Sequence, residues 1–136
     1  MQYMYKIGLA HIRNNRLLLC RPFAFDPLIL PGGLKKTGES PVENLMRQIV
    51  EELGGGAHLE TSSLRYLGNF SDFAAGKTER IVEIELYSGE LSGTLVASSE
   101  IQELKWFSPT DDWETLSPII KNKILPFLIQ NGSLLK

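Results

Sequence analysis

The sequence predicts an α+β domain, and three observations carry that prediction. A sharply delimited helix lies near the middle of the chain, at about residues 41–53. Segments rich in β-formers flank it without the regular strand–helix alternation of a doubly wound sheet. A second proline-marked helix closes the chain, from Ser117 to about Gln130.

Tyr3 to Ile12 reads as a strand. Asn14-Asn15 is a turn pair, because Asn tolerates φ > 0, and Arg16 to Arg21 is the returning strand of a hairpin. Pro22 to Pro27 is a loop carrying Phe23 and Phe25. Leu28 to Leu34 is an apolar stretch interrupted by Pro31, Gly32 and Gly33. Ser40 caps the central helix, Pro41 suits its first position, and Glu43 completes a capping box. Val42, Leu45, Met46, Ile49, Val50 and Leu53 recur at helical spacing. Gly54 is placed for a left-handed cap.

Strand-like segments follow at 57–59, 64–73 and 80–91. In the last, Val82, Ile84, Leu86 and Ser88 form the expected core face. Ile81, Glu83, Glu85 and Tyr87 form the other. Leu104 to Phe107 is a further short strand. Ser117-Pro118 opens the terminal helix, which Pro126 should kink or split, and Gly132 is its stop. No internal repeat, low-complexity tract or linker divides the chain, so residues 1–136 are expected to form one domain.

A length of 136 residues suffices for one sizeable core, and 43% hydrophobic with 22% charged residues is ordinary for a globular protein. Whole-chain disorder is excluded on that ground. No apolar run approaches the ~20 residues that span a bilayer, and no signal peptide is visible. Neither a membrane nor a nucleic-acid polymer is an expected partner, since the pI is near 5.7. The lone Cys20 sits in an apolar run and reads as a buried core residue, consistent with a cytoplasmic location.

The net charge of −2 conceals a split. Residues 1–38 hold six bases and one acid, whereas residues 39–60 hold five acids and only Arg47. Six of the twelve glycines fall between Gly32 and Gly56. On the helix, Glu43, Arg47 and Glu51 form an i, i+4, i+8 row, and Gln48 and Glu52 share a face. Neighbouring carboxylates repel, and a hard divalent cation relieves that repulsion. The Gly32-Gly33 backbone can approach a ligand closely. A solvated helix face laced with ion pairs is the competing reading of these charges.

The window from Gly33 resembles the Nudix box, G-x5-E-x7-R-E-U-x-E-E-x-G-U, with U aliphatic. Gly33, Glu39, Arg47, Glu51, Glu52 and Gly54 match six of its seven fixed positions, and Ile49 the first aliphatic one. At ~7% usage per residue type, such a match arises by chance with a probability on the order of 10⁻⁴. Two positions depart. Gln48 stands where the family has Glu, and Gly55 where it has an aliphatic residue. Gln cannot accept a proton at neutral pH, though its carbonyl oxygen can still ligate weakly.

The resemblance implies a mixed β-sheet sandwiched between helices. It also implies hydrolysis of a phosphoanhydride in a nucleoside diphosphate linked to another group. Glu51 and Glu52 would bind Mg²⁺ (or Mn²⁺) with the Gly32 carbonyl, and Glu52 would be central to catalysis. Glu39 would pair with Arg47 and reach the metal too, with Gly33, Arg47 and Gly54 as structural support. Because Gln48 is not a base, that role passes to Glu79, Glu83, Glu100 or Glu103, with Glu100 in a loop that supplies a metal ligand in some members. Otherwise the enzyme is slow, or the chain is a nucleotide-binding module. Arg21, Lys35 and Lys36 are candidates for the phosphates. Phe23 and Phe25, ahead of Phe70 and Phe73, are candidates for stacking on a base. A (d)NTP is slightly preferred as substrate over ADP-ribose or a nucleotide sugar. A homodimer is common among such proteins.

Overall fold

The computed structural model describes residues 1–136. Strands β1 (Gln2–Ala10), β2 (Ile12–Arg13), β3 (Arg16–Pro22) and β4 (Gly32–Leu34) precede helix α1 (Pro41–Leu53). Strands β5 (Ala57–Ala74), β6 (Lys77–Gly93) and β7 (Ile101–Phe107) follow it. The chain closes with a 3₁₀ turn at Trp113–Thr115, a π-helical turn at Ile120–Ile124 and α2 (Leu125–Gln130). No helix is long and apolar enough to cross a membrane.

The α+β expectation holds, with mixed strand directions. One sheet runs β4-β1-β6-β5, with β1 and β6 parallel and the other neighbours antiparallel. A smaller antiparallel sheet runs β2-β3-β7. Tyr3–Ile12 is therefore not one strand. His11 is the corner at which the chain changes sheets: Ala10 pairs with Ser88, whereas the His11 carbonyl accepts from Leu18 N at 2.9 Å. The buried His11 ring places Nδ1 3.0 Å from the Gly89 carbonyl and fixes the corner. Conversely, segments 57–59 and 64–73 join into β5, because register shifts absorb the intervening residues. Ser63 Oγ accepts from Glu90 N at 2.8 Å and donates to Glu60 O at 2.6 Å, replacing ladder bonds there.

Two cores sandwich the sheets. On one side Leu45, Ile49 and Leu53 of α1 pack on Ile7, Leu9, Leu18 and Cys20. On the other, Ile120, Ile124, Leu125 and Leu128 pack on Leu17, Leu19, Ile84 and Leu86. The alternation along β6 thus falls as its pattern predicts. Burial pushes the Cys20 thiol pKa up, so the thiol stays protonated.

Helix α1 begins with the full capping box, Glu43 N donating to Ser40 Oγ at 3.1 Å and Ser40 N to Glu43 Oε1 at 2.9 Å. Its apolar set is narrower than the sequence suggests. Val42, Met46 and Val50 form an i, i+4, i+8 row that remains exposed, because only the neighbouring row of Leu45, Ile49 and Leu53 meets the sheet. Gly54 has φ +90° but an extended ψ of 162°, so the helix ends in a positive-φ turn rather than a left-handed cap.

Pro126 neither breaks nor sharply splits the last helix. Its ring would collide with the carbonyl four residues back. The preceding turn widens instead, with Leu125 N donating to Ile120 O across five residues. Gly132, at φ +84°, then turns the chain so that Leu134 returns to the core.

The packing makes α1 strongly two-faced. Ile49→Ala is expected to cost about 2–5 kcal/mol in urea unfolding. Met46→Ala, three residues earlier, is expected to stay within about 0.5 kcal/mol. Equal costs would contradict this orientation.

Candidate active site

The site forms where the C-terminal half of α1 crosses the β4–β1 edge. Gly32 pairs with Gly8 across that edge, and Gly33 with Ile7. A Cβ on Gly32, whose φ is +135°, would strike the Ile7 carbonyl. A Cβ on Gly33 would overlap the Gln48 side chain. Gly32 thus lets β4 approach the β1 backbone, and Gly33 leaves room for the Gln48 side chain of α1.

Glu52 is buried here and is 3% exposed. One carboxylate oxygen accepts from Gly32 N at 2.9 Å. The side chain makes no ion pair, so burial dominates and pushes its pKa up to about 7, against the pull of the Gly32 N–H and of Lys6. Glu100 and Glu51 lie near enough to push it the same way. A buried carboxylate with one hydrogen bond and no ion pair is a group that suits a divalent cation.

Glu51, one position round, is exposed and lies 3.5 Å from Arg47 Nη1. Arg47 is mainly engaged with Glu39, its Nε donating to Oε2 at 2.8 Å and its Nη2 to Oε1 at 3.0 Å. This two-pronged bond holds the Glu39 carboxyl below the usual carboxylate range. Buried Asn44 adds to the clamp, donating from Nδ2 to Glu39 Oε1 at 3.1 Å and to Leu34 O at 2.8 Å. No group of three or more His, Cys, Asp or Glu converges as a ready cation cage. Glu39 and Glu51 turn to Arg47 while Glu52 faces Gly32, so the three carboxylates do not converge on one point. Glu39 is held in the loop by Arg47 and Asn44.

A cavity of about 320 Å³ opens beside this edge. Lys6 and Gly8 of β1, Gly32, Val82 and Ile84 of β6, and Ser117–Ile120 line it. Phe25 and Phe73 stand on its walls. Phe23 does not line it and is 68% exposed, because its amide is tied to Glu100 O at 2.9 Å on the other side of the loop. Phe70 packs on Phe127 at 5.1 Å between ring centres.

The expected phosphate contacts are engaged elsewhere. Arg21 Nε donates to Glu103 Oε1 at 2.6 Å, and its Nη1 to Asp26 O at 2.9 Å. Lys35 Nζ donates to Glu85 Oε1 at 3.0 Å. Lys36 is exposed on the loop before α1. Neither Arg21 nor Lys35 lines the cavity. Among the alternative bases, Glu103 is held by Arg21, Glu83 lies by Asn69 Nδ2 at 3.4 Å, and Glu79 is exposed beyond the cavity. Glu100 is the one within electrostatic reach of Glu52. Sequence reasoning missed Lys6 and Asn44. Asn44 follows from its place one turn into α1, opposite the glycine loop; Lys6 has no such signal.

The NUDIX domain family model matches residues 3–126. The E. coli ORF135 protein in solution superposes with a TM-score of 0.71 and 25% identity, over 98% of this chain and 94% of that one. A MutT NUDIX hydrolase from Burkholderia pseudomallei gives 0.66 and 26%, over 82% and 88% of the two chains. The MutT protein from Methanosarcina mazei Go1 gives 0.70 at 20% identity, over 96% of each chain, a likeness of fold. No curated protein sequence matches the chain significantly.

The Glu39–Arg47 clamp has a pH signature. A carboxyl held below its ordinary value near 4.5 contributes stability that is present above that value and lost as pH falls through the folded one. Urea unfolding of Arg47→Met should therefore show a deficit against the native chain at pH 7 that shrinks by pH 3.5. A deficit that is constant with pH would mean that the two groups are not coupled.

Proposed function

The chain belongs to the Nudix family, and from that premise we propose that it hydrolyses a phosphoanhydride bond in a nucleoside diphosphate linked to another group. The observation that carries this reading is the buried carboxylate of Glu52, unpaired with any cation and bonded to Gly32, a residue that lines the apolar cavity. A charge held there without a partner costs stability and suits a site where a cation and phosphates assemble.

In this reading Glu52 and Glu51, with the Gly32 backbone, hold Mg²⁺ or Mn²⁺. The bound ion neutralises diphosphate oxygens and acidifies water. The chain's own residues do the rest. Arg47 and Asn44 hold Glu39, which fixes the 32–39 loop against α1, so that Glu52 and Gly32 keep their spacing. Phe25 and Phe73 clamp an apolar or aromatic moiety such as a nucleobase. Glu100 is the carboxylate available to take a proton from water. A nucleoside triphosphate is the favoured substrate, and the protonated, buried Cys20 suits a reducing compartment.

A second reading is favoured by one observation. Gln48 lies against Gly33 where the family's box has a carboxylate, and it can neither take a proton nor add charge. On this reading the chain binds nucleotides and turns them over slowly.

A screen of nucleoside triphosphates, ADP-ribose and nucleotide sugars with Mg²⁺ and Mn²⁺ separates the two. Release of phosphate or diphosphate is expected, and Glu52→Gln should reduce kcat by about 100-fold or more. Unchanged turnover in Glu52→Gln would remove the proposed metal site. A clear rate gain in Gln48→Glu would identify the slow-turnover reading; native activity without gain places the base outside the box.

A further inference from the structure

The charges around the cavity are one-sided. Its charged lining residues are Lys6, Lys77 and Arg80, and no acid lines it. Lys77 and Arg80 belong to the far rim. Arg80 pairs in register with Gln2 and Lys6 with Ile84, which puts them about 13 Å apart at ~3.3 Å per residue. Arg80 Nε also donates to Gln2 Oε1 at 3.3 Å. Lys6 is the cation at the inner end, on the strand that pairs with β4 and carries the Gly32–Glu52 contact to its neighbour.

Lys6 differs from three other cations near the site. Arg21 is taken by Glu103, Lys35 by Glu85 and Arg47 by Glu39. Lys6 lies in the electrostatic range of Glu52 and Glu100, but forms no ion pair with either. Its burial penalises the charge and lowers its pKa, and the two carboxylates only partly offset this. An ammonium so placed has three donors and no acceptor to receive them. The cavity it lines reaches Gly32, the residue that donates to Glu52.

We propose that Lys6 is a phosphate-binding residue of this site, its ammonium reaching from β1 through the cavity to a phosphate group of the substrate. It supplies from the sheet side the positive charge that Arg21 and Lys35 cannot. The identity of the anion as a substrate phosphate rests on the pyrophosphohydrolase reading; the anion site itself does not.

The test is binding of inorganic diphosphate to the metal-free protein in chelator, followed by calorimetry. Lys6→Met should lose about 10-fold or more in affinity, while Lys6→Arg stays within about 3-fold. Lys123→Met, which removes the same charge from an exposed site on the last helix, should change nothing. Lys6 is half-buried, so an apolar side chain of similar length is expected to keep the fold, and circular dichroism with a melting curve checks it. Mn²⁺ binding, read by electron paramagnetic resonance, should be as tight or tighter in Lys6→Met, because a like charge near Glu52 has gone.

Equal diphosphate binding by native protein and Lys6→Met would overturn the assignment, as would a parallel loss of Mn²⁺ affinity. So would failure of the native protein to bind metal-free diphosphate while it still turns over a nucleotide; that result spares the hydrolase reading. Lys6-dependent binding without turnover of any nucleotide would instead sink that reading and leave Lys6 as an anion site.

Discussion

The hydrogen bond from Gly32 N to Glu52, 2.9 Å long and buried, is the contact on which the rest of the site depends. Gly32 and Gly33 leave room for it where α1 meets the β4–β1 edge. A methyl group on Gly32 would strike the Ile7 carbonyl of β1, and one on Gly33 would displace the Gln48 side chain of α1. The contact positions Glu52 but only partly compensates it, since one N–H cannot offset the burial of a full charge. The protein therefore carries a local instability at the end of an otherwise well-packed helix. Leu45, Ile49 and Leu53 hold that helix in place from the neighbouring row and make the instability tolerable.

The surrounding charges are organised to leave Glu52 alone. Arg47 stands one turn away, yet its guanidinium is spent on Glu39 and grazes Glu51. Asn44 ties the same clamp to the backbone of Leu34. These bonds fix the loop between β4 and α1 from both ends. Lys6 approaches from the sheet without forming a pair. A carboxylate seated on Gly32 and an ammonium in the adjoining apolar cavity thus lie in electrostatic range without pairing, an arrangement that suits a charged ligand with an apolar portion.

Much of this was legible in the chain, and the limits have physical causes. The capping box of Ser40 and Glu43 is local chemistry and reads directly from spacing. So does the Glu39–Arg47 pair, eight residues apart across one turn of loop and helix. The two-faced character of α1 was only half legible: apolar residues at helical spacing mark a stripe, but the sheet covers one row and leaves Val42, Met46 and Val50 outside. The fates of Arg21 and Lys35 were not legible, because their partners Glu103 and Glu85 lie 82 and 50 residues away and only the folded sheets bring them together. Lys6 was hidden for the same reason. Within a β-strand a single lysine signals solvent, and its partial burial depends on the folded sheet and on the cavity it shares with β6 and the 117–120 segment. Pro126 marked a helix disturbance correctly, but not that a widened turn would absorb it.

The central claim is that the uncompensated carboxylate of Glu52, seated against Gly32, is where a divalent cation binds. Paramagnetic broadening of backbone amide signals by substoichiometric Mn²⁺ tests it without any substrate. The account predicts that the amides of Gly32, Gly33, Glu51 and Glu52 broaden first, and that Glu52→Ala abolishes the effect there. Broadening centred on another part of the chain, or unchanged in Glu52→Ala, would contradict it.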